Sequence, residues 1–382
     1  MKSYCKGLAV DRSLVSRAYE TWLTKPSGKK NGWRVAVEYG SPATLIDEIC
    51  DELRVRALKF APIRRYEYVE RTNGKARIIG VESVKQQVCD YVAVIALEDL
   101  LRAKVGFYQV AAVEGKGQRL CSSALRKWSH ESRYHVKCDV RKCYPSIKAD
   151  VVRRVLYRYV RSADVLYLCE SLLSTYDGGL EIGSYFALQM AQLVLSFAYH
   201  HVEGLGKRRR GKWIPLVRHQ IWHMDDFLLI GTSKSDLKRA ARTIERYLRD
   251  EFGLRLKRWK VSKTSKREPL DLGGWVVREL GKMRTLPDGT TYVDEANPHT
   301  RVTLRDGIFL RGTRAFARFS KKPTAARARR CASYWGWFRN GDCYGAMGAR
   351  NMRPCFARAR RAVSRYDRLE EPYAKDAIGD AT

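Results

Sequence analysis

Ile221-Trp222-His223-Met224-Asp225-Asp226-Phe227-Leu228-Leu229-Ile230-Gly231 sets two adjacent carboxylates between two apolar patches. The run reads as a β-hairpin with its acidic turn at the tip. Neighbouring like charges repel, and burying them unpaired is costly, so such a turn is comfortable when a divalent cation neutralises it. Upstream, Tyr134-His135-Val136-Lys137-Cys138-Asp139-Val140 holds a second apolar-flanked acid. With Val136, Cys138 and Val140 facing one way, Asp139 ends a strand and meets Asp225 across a sheet. Hard oxygen ligands from two strand tips, joined by substrate phosphates, make a magnesium site suited to phosphoryl transfer.

Composition narrows the partner. Lys and Arg total 73 against 41 Asp and Glu, a formal net charge of +32. That excess is beyond what solubility needs and implies a polyanion, most simply nucleic acid. A membrane surface is the rival, but no apolar run of about 18 residues exists. Met1-Lys2-Ser3-Tyr4-Cys5-Lys6 is too polar to open a signal peptide. The cysteines are scattered without a C-x-x-C pair, so reduced thiols are expected rather than disulfides or structural zinc. At 382 residues and 45% hydrophobic the chain can build cores for two or three domains.

Residues 1–60 carry amphipathic helical patterns, interrupted by a loop at Lys25-Pro26-Ser27-Gly28-Lys29-Lys30-Asn31-Gly32. Residues 66–80 alternate like a hairpin with Asn73-Gly74 as its turn. Helices are predicted over 83–103 and 119–129, then the strand of Asp139 and a helix through 150–173. Gly178-Gly179 and Gly183 open a long helix ending near His201. Lys207-Arg208-Arg209-Arg210-Gly211-Lys212 reads as a basic loop, either touching RNA or solvated. A helix near 235–251 leads through Gly253 to a short strand, and 272–277 is another. The order β-α-α-β-β-α-β suits an α+β fold whose sheet is backed by helices on one face. From about 285 the chain turns very basic and helical, and the stretch from Glu370-Glu371 to Thr382 is acidic and expected to be disordered. Gly204-Leu205-Gly206-Lys207 lacks the spacing and Ser/Thr of a P-loop, Gly115-Lys116-Gly117 is a turn, and His200-His201 lacks partners at metal spacing.

Several blocks, in order over roughly 60–345, resemble reverse transcriptases of the bacterial and phage type, the lineage of group II intron proteins, retrons, diversity-generating retroelements and defence-associated enzymes. Asp139-Val140-Arg141-Lys142-Cys143-Tyr144-Pro145-Ser146-Ile147 is similar to the first catalytic block. Ile182-Gly183-Ser184-Tyr185 resembles the start of the template-and-nucleotide-grip helix. His223-Met224-Asp225-Asp226 stands where the family has aromatic-x-Asp-Asp. Leu272-Gly273-Gly274-Trp275 resembles the primer-grip turn, Asn73-Gly74-Lys75-Ala76-Arg77 the fingers hairpin, and Ser333-Tyr334-Trp335-Gly336-Trp337-Phe338 a thumb motif. Two departures stand out: Ala187-Leu188, with Gln189 one place later, replaces a family Ser-Gln or Ser-Pro, and His223 replaces an aromatic.

The resemblance implies an α+β, right-hand polymerase: an N-terminal helical extension at 1–60, fingers at 61–130, a palm with an antiparallel sheet at 131–284 (finger-side helices inserted at about 150–180), a basic helical thumb at 285–365 and an acidic tail at 366–382. It implies an RNA-directed DNA polymerase in which Asp139 and Asp225, with Val140, hold two Mg2+ (or Mn2+) ions. Asp226 positions the primer end or is simply solvated. Tyr144 is a steric gate against a ribose 2′-hydroxyl, or a core tyrosine. Lys75 and Arg77, two residues apart on one hairpin face, fold over a triphosphate. Gly183 and Gln189 belong to the nucleotide seat. Lys260 stands near the leaving pyrophosphate, with Lys257, Arg258 and Lys263 competing for that role. Leu272, Gly273 and Gly274 form the primer grip. Arg327, Arg329, Arg330, Arg358, Arg360 and Arg361 make a phosphate-contacting surface, with Trp335 and Trp337 along a minor groove, stacked on RNA, or in the thumb core.

The implied partners are a structured non-coding RNA template, a DNA primer and product, and dNTPs, with no membrane. An accessory protein or homo-oligomer is left open. The implied setting is cytoplasmic, in antiphage defence or as a diversity-generating enzyme. A template-independent or protein-primed polymerase, an intron maturase and a non-catalytic RNA-binding scaffold are the rivals; the joint presence of Asp139, Tyr144 and Asp225 argues against the last.

Overall fold

The computed structural model describes residues 3–69, 74–113, 115–265, 267–287 and 291–379, with 279–285, 291–299 and 366–379 described by their backbone alone. The fold is mixed α+β, with small antiparallel sheets among many helices.

Four helices open the chain: α1 (Arg12–Thr24), α2 (Pro26–Asn31), α3 (Trp33–Tyr39) and α4 (Pro42–Arg54). Asp11 and Ser41 cap α1 and α4 by accepting from the Leu14 and Thr44 N–H groups. The loop predicted at 25–32 is largely helix, because Pro26 sits in the first turn, where its missing N–H costs nothing. β1 (Arg64–Val69) and β2 (Ala76–Val81) pair from Arg64↔Val81 to Val69↔Ala76; the predicted turn residue Asn73 lies outside the described residues. The single helix predicted over 83–103 is two, α5 (Val84–Ala96) and α6 (Glu98–Lys104), parted at Leu97. α7 (Gly117–Ser129) follows.

β3 (Tyr134–Asp139) ends at the predicted acid, and α8 (Cys143–Ser146) is a single turn. The helix predicted through 150–173 is broken into α9 (Ala149–Tyr159) and α10 (Ala163–Leu173). Extended Val160 bridges to Tyr4, and Ser162 caps α10, so a tertiary pairing overrides the helical period there. α11 (Tyr185–Glu203) starts at its Ser184 cap. The predicted basic loop is a hairpin, β4 (Gly206–Arg209) and β5 (Lys212–Pro215), because Arg210 and Gly211 both take the positive φ that a two-residue primed turn needs. β6 (His219–His223) and β7 (Asp226–Gly231) form the acidic hairpin. α12 (Lys234–Phe252), ended by Gly253 at φ +68°, leads to β8 (Val261–Lys263).

The central sheet has the antiparallel order β6-β7-β3-β8. Backing on one face alone does not hold. Val136, Cys138, Trp222, Phe227 and Leu229 join the core of α11 and α12, whereas Ile221, Leu228 and Ile230 enter a second core with Leu125 and Trp128 of α7. Burial on both faces explains why Asp226 is followed by an unbroken apolar run rather than by alternation.

β9 (Asp271–Leu272) turns through Gly273-Gly274 into β10 (Trp275–Thr285), which pairs with β11 (Thr291–Leu304). The helical region predicted from 285 therefore begins only at α13 (Asp306–Lys321), followed by α14 (Ala325–Arg339), α15 (Tyr344–Ala349) and α16 (Met352–Gly379). Thr291, Tyr292, Val293, Thr300, Val302 and Thr303 favour strands, a signal hidden under the charge count. The backbone of α16 also runs on through 366–379, where disorder is predicted; helix-favouring Leu369, Glu370, Glu371 and Ala374 flank Pro372 there. All ten cysteines are unpaired. Among the described residues no helix is long and apolar enough to cross a membrane.

Candidate active site

Three chain segments meet at the tip of the acidic hairpin. Met224 and Asp225 form its two-residue turn, Met224 taking φ +58° as primed turns demand. The register sets Asp226 opposite both His223 and Asp139. Val140 N–H then donates to the Asp225 carbonyl at 3.0 Å, which ties the end of β3 to the turn. From the other side, Lys257 N–H donates to the Asp139 carbonyl at 2.8 Å, and Arg141 N–H to the Arg255 carbonyl at 2.8 Å. Asp139, Asp225 and Asp226 are thus brought together by backbone pairing.

Burial dominates the electrostatics of the cluster, against the pull of several nearby cations. Burial, then the neighbouring Asp139 charge, raise the Asp225 carboxyl above the usual range, against the pull of Lys257 and Arg77. Burial pushes Asp226 up to about 6 despite the Lys137 ammonium 3.2 Å away. Lys257 Nζ stands 2.7 Å from Asp139 Oδ1, an ion contact outside hydrogen-bond geometry. The buried Oδ1 atoms of Asp139 and Asp226 accept no hydrogen bond among the described residues.

These oxygens suit a hard divalent cation, and the two lysines hold the place of positive charge. Among the described residues, no group of three or more His, Cys, Asp or Glu side chains could hold a metal. A cation bound by two carboxylates would draw the rest of its shell from water or from a bound ligand.

Around this centre, Tyr144 on α8 is half-buried; burial, Cys143 and the Asp225 charge raise its phenol well above the usual value. Arg77 on β2 is near enough for its charge to act on Asp225, and Lys75, exposed, lies just before that strand. Gly183, at φ +120°, packs against β2: a Cβ there would lie 2.4 Å from the Gly80 carbonyl oxygen. Gly80 N–H donates to the Ile182 carbonyl at 2.8 Å, and the Arg65 guanidinium pairs with Glu181 at 2.7 Å, so the root of the hairpin is fastened to the segment before α11. Gln189, one turn on, is buried and donates to the Ala112 carbonyl at 3.3 Å.

The Gly273-Gly274 turn wedges between the acidic hairpin and the C-terminal helices. A Cβ on Gly273 would come 2.9 Å from the His223 ring, and one on Gly274 would come 2.6 Å from Ile308 and 2.8 Å from Trp337. Both glycines take positive φ, and Leu272 is fully buried beside them. Arg305 donates to Asp271 at 2.6 Å and locks the turn from behind.

Other predicted residues lie elsewhere. Lys260 pairs with Glu268, and Lys257 takes the place beside Asp139. Trp335 stacks on Phe356 at 4.5 Å, and Trp337 lies 5.5 Å from Trp275, so both serve the C-terminal core. Arg327 donates to the Arg318 and Lys322 carbonyls at the end of α13. Arg358 covers the Phe319 ring at 5.3 Å. Arg329, Arg330, Arg360 and Arg361 are exposed. Arg330 joins Arg311, Arg314 and Arg318 of α13, with Tyr68 and Tyr334, around a groove of about 470 Å3 between β1 and the C-terminal helices. The α13 arginines went unremarked in the sequence, although their spacing of three and four residues marks one helix face. Lys137, two residues before Asp139 on the same strand face, was the other available signal. No protein-family model matches the chain, and no curated protein matches it either; the candidate site rests on the backbone-built meeting of Asp139 with Asp225.

Proposed function

We propose that the protein is an RNA-directed DNA polymerase that adds dNTPs to a primer 3′-hydroxyl. The observation that carries this reading is the convergence of Asp139 and Asp225, with Arg77 acting on the same carboxylate. In this reading β1–β2 and α5–α7 are fingers, the β6-β7-β3-β8 sheet with α11 and α12 is the palm, and α13–α16 are the thumb.

Asp139, Asp225 and the Val140 carbonyl would hold the magnesium. When bound, that metal supplies activation of the primer hydroxyl and neutralisation of the triphosphate. The rest is positioning by the chain itself. Arg77, whose charge acts on Asp225, would offer its guanidinium to the triphosphate. Gly273 leaves room for His223 to sit under the primer end. Lys257, in ion contact with Asp139, would be a cation available to a departing pyrophosphate. The basic α13 groove, with Tyr68 opposite, fits the backbone of the template–product duplex.

The direct test is extension of a DNA primer on a short RNA template with dNTPs and Mg2+. Extension whose sequence copies the template is expected; bound primer–template without any extension would overturn the reading. A second expectation concerns the sugar. Tyr144→Ala should raise ribonucleotide incorporation about tenfold or more relative to dNTPs, the loss of a clash being worth ~1–3 kcal/mol of discrimination. Unchanged selectivity in competition assays would remove Tyr144 from that role.

A further inference from the structure

The rear of the central sheet carries a second strongly charged surface. One side of α12 packs Leu237, Ala240, Ala241, Ile244 and Leu248 into the core. Its other side presents Lys238, Arg239, Arg242 and Arg246, which line a groove of about 610 Å3 against Leu205, Gly206 and Leu216. Lys238, Arg242 and Arg246 recur every fourth residue, in steps of about 6 Å along the helix.

None of these four cations has an ion pair among the described residues. The acids of α12 that the structure engages are turned to other partners: Asp236 to Lys207, Glu245 to the Trp259 indole N–H, and Asp250 to Arg249. Unpaired positive charge on a rigid helix is unfavourable self-repulsion unless a polyanion offsets it.

The β4–β5 hairpin extends the same surface and is built to stay there. Lys207 Nζ reaches both carboxylate oxygens of Asp236 at 2.6 Å, which clamps β4 to the first turn of α12. Trp213 lies across Gly206, where any Cβ would come 2.1 Å from its ring, yet 59% of the residue stays exposed. Arg208, Arg209, Arg210 and Lys212 around it are exposed. An aromatic face within a field of guanidiniums suits a nucleic-acid backbone. The surface lies on the far side of α12 from the sheet that carries the carboxylates, so the segment of backbone held here is not the segment being copied there.

We propose that α12 and the β4–β5 hairpin form a docking face for the phosphate backbone of duplex RNA, outside the catalytic cleft. The choice of RNA rests on the polymerase reading above: an RNA template with folded arms would keep its paired regions on this face while a single-stranded part enters the cleft. Charge complementarity selects the backbone, and A-form duplex offers it without sequence readout.

The experiment compares wild type with Arg239→Ala/Arg242→Ala/Arg246→Ala. Alanine at these exposed positions keeps the helix. Binding of a fluorescent 30-base-pair RNA duplex is followed by anisotropy from low to high salt, beside primer extension on a short unstructured template. The expected result is binding about tenfold weaker, a salt slope smaller by about 3, and extension within about twofold of wild type. Unchanged affinity and slope in the triple variant would overturn the proposal, as would preference of the wild type for phosphatidylserine vesicles or an acidic polypeptide over the duplex. Loss of duplex binding in a protein that extends no primer would support the docking face while sinking the polymerase reading.

Discussion

Asp225→Asn is expected to all but abolish magnesium-dependent dNTP incorporation, by about a hundredfold to a thousandfold, while RNA binding stays nearly intact. Asparagine keeps the shape of the turn but supplies no negative charge to the cation, and losing one preorganised electrostatic group at such a centre commonly costs ~3–4 kcal/mol of transition-state stabilisation. The same change should leave the fold as stable or more so. The native carboxyl is destabilised in its charged form by burial and by Asp139, and the neutral amide removes that repulsion. Retained or raised melting temperature with lost synthesis is the expected pair of results. Undiminished synthesis by the variant would refute the assignment of the site.

Trp222→Ala should act through the fold instead. The Trp222 ring is fully buried and stacks on Phe227 at 3.8 Å, with 9° between the planes, directly beneath the acidic turn. Its indole N–H donates to Gln220 Oε1 at 2.8 Å, and its backbone is paired to Tyr108 and Val110. Alanine leaves a cavity inside the sheet and strips a buried acceptor of its donor, so a loss of about 3–5 kcal/mol is expected. Denaturant unfolding measures it as a lowered midpoint; a loss below about 1 kcal/mol would mean that the stack does not hold the hairpin. Incorporation should fall as well, because the two strands under Asp225 lose their shared support.

The acidic hairpin and the strand of Asp139 were legible because apolar runs flanking an acid leave few alternatives, which set Asp225 at the tip. Gly183 was legible as a place where a backbone or a base comes close, and what comes close is the Gly80 carbonyl; Gly273-Gly274 was legible as a tight turn. The partners of the carboxylates were not legible in the same way. Lys137, Lys257 and Lys260 look alike in a chain with this many cations, and only the pairing of Val140 with Leu256 decides that Lys257 reaches Asp139. The basic hairpin at 206–215 and the long β10–β11 pair were missed because charge dominated their composition, while turn conformation and strand propensity decided their backbone.

Gly183 and Glu181 grip β2 and β1 at Gly80 and Arg65, near one end of that two-stranded arm. An arm bolted at its base bends only along its free length. On the polymerase reading, closure over an incoming nucleotide would bend the rungs Tyr68↔Arg77 and Val69↔Ala76, while the socket beneath keeps its shape.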